Sequence, residues 1–186
     1  AVPNEPLMST TSAEVWSFTD ELARWGPGQI SSGTPSLSFS RRYCRRLAHR
    51  HSENFTVVSW LLPRHLHQHF YHIYAYCRWA DDLADETGDP KIALELLAWW
   101  CEEFHRCLRG CPRHPVMVAL EETIHRFRIP SELFLDLLTA FEQDQRVCEY
   151  ETYAELLTYC RYSANPVGRL VLHLCECFDV HRAELA

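Results

Sequence analysis

From Ser40 nearly to the last residue, apolar positions recur at three- and four-residue spacings, the repeat that gathers side chains on one side of an α-helix. That repeat predicts helices over approximate segments 40–51, 55–61, 64–86, 90–109, 114–127, 131–149, 152–164 and 166–179. No alternating apolar and polar run competes with it. The interruptions have chemical causes: Pro63 and Pro90 begin helices, Gly110 ends one, Pro130 with Ser131 opens another, and Thr152 with Glu155 has capping-box spacing. Upstream, Thr11 and Glu14 have the same spacing before a short amphipathic helix that Gly26-Pro27-Gly28 terminates, and a polar linker follows through Ser40. The expected fold class is all-α, with residues 1–39 an N-terminal extension and residues 40–186 one helical domain.

Composition narrows the function. With 186 residues and 47% hydrophobic content, the chain can bury a full core. Its formal charge of -7 argues against a surface built to neutralise nucleic-acid phosphates, so no nucleic-acid partner is expected. One basic stretch stands out: Arg41, Arg42, Arg45, Arg46, His49 and Arg50 form either a solvated helix face or an anion-facing wall for phosphate or lipid headgroups. Nine cysteines without a C-x-x-C pair or a signal peptide read as reduced thiols, mostly small apolar core residues, in a cytoplasmic protein. Asn54-Phe55-Thr56 matches a glycosylation sequon by coincidence in that setting. No run of about 18 apolar residues exists to span a membrane, which leaves peripheral contact at the inner membrane as the compatible mode. Neither a G-x-G-x-x-G nor a P-loop is present.

The chemistry concentrates in YAYCRWADDLADE, Tyr74 to Glu86. At 100° per residue Arg78, Asp81, Asp82 and Asp85 fall on one face with Tyr74 one turn earlier, while Ile73, Tyr76, Cys77, Ala80 and Ala84 face the other way. Aspartates one turn apart repel, and Asp is a poor helix former. Two readings compensate that charge. Arg78 neutralises Asp82 on an exposed face, or Asp81 and Asp85 hold Mg²⁺, a hard cation that leaves coordination positions for water and a substrate diphosphate. In the second case Arg78 adds planar donors to the same diphosphate.

Taken together, HSENF (His51 to Phe55), LLP (Leu61 to Pro63), IYAYCRWADDLADE (Ile73 to Glu86) and YCRYSANPVGRLVL (Tyr159 to Leu172) resemble the squalene/phytoene synthase family in order and spacing. Asn165-Pro166 stands where squalene and phytoene synthases usually have an Ala-Gly type of sequence, and SANPVGRLVL is similar to the hydroxysqualene-forming branch of bacterial hopanoid synthesis. The resemblance implies a class I isoprenoid synthase helical bundle with Mg²⁺ as cofactor. It implies Asp81 and Asp85 as metal ligands, Asp82 completing the catalytic motif, and Arg78 and Tyr74 as diphosphate contacts. It further places His51, Ser52, Glu53, Asn54 and Phe55 at the substrate entrance, and Tyr159, Ala164, Val167 and Gly168 beside an isoprenoid channel. The implied substrates are farnesyl diphosphate or presqualene diphosphate, with enzymes of the same pathway as partners. The implied reaction is loss of pyrophosphate from presqualene diphosphate with capture of the cation by water. Head-to-head condensation to squalene or phytoene, or a non-catalytic lipid-binding role, are its alternatives. Independently of the family, Ala164 and Gly168 lie one turn apart and leave room for an alkenyl chain, or serve helix packing. The family carries a second aspartate-rich motif, and the sequence reaches Ala186 without one, so the resemblance implies a bundle lacking its C-terminal helices.

Two further clusters invite metal readings. His65, His69 and His72 share a helix face and could hold zinc, but no H-E-x-x-H accompanies them and they read as solvated helix-start histidines. Glu142, Asp144 and Glu149 scatter around their helix near Arg146 and read as a solvated face.

Overall fold

The computed structural model describes residues 17–30, 33–50 and 62–176. Among them the chain forms α1 (Phe18–Trp25), α2 (Leu37–Arg50), a 3₁₀ turn (Arg64–Leu66), α3 (His67–Asp85), α4 (Pro90–Leu108), α5 (Pro115–Phe127), α6 (Glu132–Asp144), α7 (Tyr153–Ser163) and α8 (Asn165–Leu174). The all-α expectation holds. The capping-box pair Thr11 and Glu14, segment 55–61 and residues His51 to Phe55 lie outside the described residues.

Most boundaries follow from caps that satisfy the free N–H groups of a first turn. Asp89 accepts from Lys91 N at 2.8 Å with Pro90 in the first turn, and His114 Nδ1 accepts from Val116 N at 3.2 Å ahead of Pro115. Thr152 Oγ1 accepts from Glu155 N at 3.2 Å while Glu155 reaches back to Thr152 N, completing the capping box. Gly110, at φ 73°, closes α4 by letting Cys111 N bond the Arg106 carbonyl at 3.0 Å. Three boundaries differ from the apolar repeat, one of them the end of α8 at Leu174, where the repeat runs on to 179. Helix α2 starts at Leu37, because Ser36 Oγ accepts from Phe39 N at 3.3 Å and the linker ends there. Helix α6 stops at Asp144, because the polar run Glu142 to Arg146 offers no apolar side chain to pack.

Helix α3 is the hub, packing against α2, α4, α5, α6 and α8. Its Tyr71, His72, Ile73, Ala75, Tyr76, Trp79, Ala80 and Leu83 are buried around most of its circumference. Beyond the first turn, what remains accessible is one stripe, Phe70, Tyr74, Cys77, Arg78, Asp81 and Asp85, at three- and four-residue spacings. The core beneath is aromatic: Trp79 stacks on Trp100 at 5.4 Å and 16°, and His114 stands edge-on to both at 4.5 and 4.8 Å. Each such ring pair adds about 0.5–1.5 kcal/mol beyond area burial. Polar links tie the helices: Trp79 Nε1 donates to Tyr43 Oη at 3.1 Å, and Tyr43 donates to Glu21 at 2.8 Å, joining α3, α2 and α1. Phe18 of α1 also meets Trp79 edge-on at 5.3 Å.

The described cysteines are free, with no disulfide among them. Cys44 and Cys107 are buried as expected for core thiols, but Cys111 and Cys148 are exposed and the other described ones are half-buried.

Candidate functional site

The accessible stripe of α3 ends in carboxylates whose environments differ. Asp82 is buried, its side chain 1% exposed, and pairs with Arg78 one turn back. Asp81 is 41% exposed and accepts a 3.0 Å hydrogen bond from Arg78 Nη1. Asp85 is exposed. The face grouping read from the sequence is therefore divided: Asp82 turns beneath Arg78 into the bundle, and Asp81 and Asp85 look outward. Burial pushes the Asp82 carboxyl up to about 6, against the pull of Arg78. Burial also raises Asp81, opposed by Arg78 and reinforced by the negative charges of Asp85 and Asp144. For Arg78 burial alone would lower the pKa, but Asp82 and Asp81 outweigh it and the guanidinium is held more firmly protonated. Tyr74 is half-buried on the same stripe, its phenol raised by burial and moderated by Arg78.

Asp144, read from the sequence as part of a solvated face, is exposed as that reading has it, and its charge also acts on the carboxylates of α3. It ends α6 and lies near enough to Asp85 and Asp81 for their charges to act on one another. Tyr159 Oη of α7 donates to Asp144 Oδ2 at 3.0 Å, and its ring lies 5.3 Å from Tyr150. Burial first, then Asp144, pushes the Tyr159 phenol up to about 12, so it remains an O–H donor at neutral pH. The sequence did carry a signal. Asp82 and Asp85 occupy the last turn of α3, with Asp81 just before it, and Asp144 the last turn of α6, and neither turn contains a basic residue. A helix C-terminus bears partial negative charge, so each acid placed there is disfavoured by about 0.3–1 kcal/mol. Two helix ends and three accessible carboxylates form an oxygen-only, strongly negative surface beside Arg78, which matches the donor chemistry of a hard divalent cation.

The other sequence-derived site residues lie on α7, α8 and the junction between them. Ala164 and Val167 are exposed, Gly168 and Tyr159 half-buried, and Gly168 N bonds the Ala164 carbonyl at 3.3 Å. Tyr153, Leu156, Leu157 and Val167 give this region an exposed apolar surface.

The histidines divide differently from the solvated reading. His65 is exposed, but His69 and His72 are buried, and with Glu122 they place potential ligand atoms within 4.8 Å of one another. Hydrogen bonds already account for the group. Gln68 Nε2 donates to the acceptor-only Arg41 carbonyl at 3.0 Å, which fixes the amide, and its second hydrogen reaches His72 Nε2 at 2.9 Å. His72 Nδ1–H then donates to Thr123 Oγ1 at 2.8 Å, and Thr123 Oγ1 shares a 2.9 Å hydrogen bond with His69 Nδ1. Glu122 is engaged by the Arg41 guanidinium through two of its donors. Burial pushes His72 down to about 3, helped by His69 and Arg41, and lowers His69 as well.

A family model described as squalene/phytoene synthase matches residues 48–185. The hydroxysqualene synthase of Rhodopseudomonas palustris is 41% identical over 134 residues, covering 69% of this chain and 41% of that protein. The phytoene synthase of Arthrospira platensis is 32% identical over 140 residues, covering 75% and 45%. Among solved structures, the squalene synthase HpnC from Alicyclobacillus acidocaldarius superposes with a TM-score of 0.75 at 47% identity, over 80% of this chain and 56% of that one. A dehydrosqualene synthase in complex with ligand gives 0.66 at 29% identity. The chain thus spans less than half the length of these two curated relatives.

Proposed function

The chain belongs to the squalene/phytoene synthase family, and from that premise we propose that it carries one wall of a Mg²⁺-dependent site converting presqualene diphosphate to hydroxysqualene with loss of pyrophosphate. The observation that carries the reading is the division of labour on α3: Asp81 and Asp85 outward, Arg78 between them and the buried Asp82. Asp81 and Asp85 are the residues that would hold Mg²⁺. When bound there, the cation supplies positive charge to the departing pyrophosphate.

The chain's own residues do the positioning. Asp82 locks the Arg78 guanidinium from below, so that its remaining donors meet diphosphate oxygens without reorganising. Tyr74 adds a phenol to the same stripe. Tyr159, held by Asp144, offers an aromatic face to a cationic carbon skeleton, with Ala164 and Gly168 leaving space beside it. The ionised carbon–oxygen bond gives its electron pair to pyrophosphate, the rearranged cation takes a water, and that water loses a proton. Substrate entrance contacts are assigned to His51, Ser52, Glu53, Asn54 and Phe55 on the resemblance alone. The hydroxysqualene assignment draws support from 41% identity to that relative against 32% to the phytoene synthase.

The test is pyrophosphate release from presqualene and farnesyl diphosphates by the full-length protein, with product identification. Asp81→Asn and Asp85→Asn should each lower turnover of presqualene diphosphate by about 10²–10³-fold with unchanged circular dichroism. Arg78→Lys keeps the charge but loses the planar fork, and should also weaken it. Undiminished turnover in the aspartate variants would end the metal assignment, and a thirty-carbon head-to-head condensation product made from farnesyl diphosphate would move the chain to the condensing reaction.

A further inference from the structure

Between Glu21 and Asp81 the sequence holds eight arginines and one acidic residue, Glu53, although the whole chain is formally -7. Helix α2 sorts much of this charge by side. Ser40, Tyr43, Cys44, Leu47 and Ala48 are buried, while Arg42, Arg45, Arg46, His49 and Arg50 are exposed on the opposite arc. Arg41, on the flank, is held by Glu122 of α5. Arg126, one turn beyond Glu122, is exposed, as are Arg128 after α5 and Arg64 and His65 of the 3₁₀ turn. The charges of Arg41, Arg126 and His65 all act on His69, which places those three around one region. Arg42, Arg45, Arg46 and Arg50 form no ion pair among the described residues. Like charges one turn apart destabilise a helix, so this face is built at the expense of α2 itself.

We propose that the outward face of α2, continued by Arg64, Arg126 and Arg128, docks on the surface of an anionic lipid bilayer. A flat bilayer meets only one side of the protein. Acidic groups on the other sides are screened over a length of about 8 Å at physiological salt, and Glu122, at the edge of the face, is held by Arg41. A flexible polyanion such as nucleic acid would meet the acidic sides as well, and no exposed large aromatic residue on this face offers base stacking among the described residues. Arginines near an anionic leaflet each strengthen partitioning about fivefold, and clusters of about four to eight cations read as faces for anionic lipid. The inference rests on the charge distribution and does not depend on the reaction proposed above.

Sedimentation with vesicles of phosphatidylcholine alone, and of phosphatidylcholine mixed with phosphatidylglycerol, tests it on the full-length protein. The protein should pellet with the anionic vesicles only, and release as salt rises. Arg42→Gln, Arg45→Gln and Arg46→Gln combined should weaken binding by about a hundredfold, at about fivefold per arginine. A control removing three exposed cations elsewhere, Lys91→Gln, Arg146→Gln and Arg161→Gln, should bind as the parent does. Both variants are checked for helicity by circular dichroism. Equal binding to neutral vesicles, no binding to anionic ones, or equal loss in the two variants would overturn the proposal. So would tighter binding of the α2 face to duplex DNA at the same salt.

Discussion

The three aspartates of DDLAD are chemically unequal, and their inequality is measurable. Asp82 needs its charge to hold Arg78, and burial pushes its carboxyl up to about 6. As pH falls through that value Asp82 takes a proton and Arg78 loses its buried anchor. Pyrophosphate release should therefore show an acid limb near pH 6, and Asp82→Asn should abolish that limb while lowering kcat more than it raises KM. A limb that persists unchanged in Asp82→Asn would assign it to another group. The helical repeat placed all these residues on one side of α3 but carried no information on which neighbour covers which degree of arc. Asp144 was less legible still, because its proximity to Asp85 depends on how α6 packs against α3.

Among elements, α7 depends most on local sequence. It contains no fully buried residue, so its first turn rests on the Thr152–Glu155 capping box. Thr152→Ala should destabilise α7 by about 1 kcal/mol, read as faster amide hydrogen exchange between Tyr153 and Ser163 with exchange in α3 unchanged. Equal acceleration in both helices would mean that the cap stabilises the whole bundle. Caps, prolines and Gly110 were readable because they act on their own turns. The start of α2 was misjudged because Ser36 looks like linker until its hydroxyl is seen on Phe39 N. The close of α6 depended on missing apolar partners rather than on any breaker.

At the scale of the molecule, buried imidazoles set the response to acid. His72 is pushed down to about 3, and His69 and His114 are lowered from the ordinary 6.5, chiefly by burial. The unfolded chain binds protons at these groups more readily than the folded one, so their contribution is full above pH 6.5 and is lost as pH falls below it. His72 removes about 1.4 kcal/mol per pH unit between 6.5 and about 3, and His69 and His114 act in the same direction. Asp82 acts oppositely between about 6 and its ordinary 3.8, where the folded state holds its proton better, and the raised Asp81, Asp136 and Asp144 act with it, while the lowered His173 adds a fourth imidazole to the other side. The thermal midpoint should therefore drop steadily from pH 7 to pH 4, and more shallowly in His72→Gln. An identical slope in that variant would show that the Gln68–His72–Thr123–His69 chain does not govern acid stability.

The stacked indoles of Trp79 and Trp100, with Trp99 at 5.7 Å from Trp100, have an optical consequence. Transition dipoles this close exchange excitation, so the rings absorb and emit as a coupled set rather than as independent chromophores. Because Trp79 belongs to α3 and Trp99 and Trp100 to α4, the Trp79 share of that coupling vanishes once the two helices part, while the Trp99–Trp100 share stays. The helix that carries Arg78 and Asp81 thus holds its own spectroscopic gauge of whether it is seated.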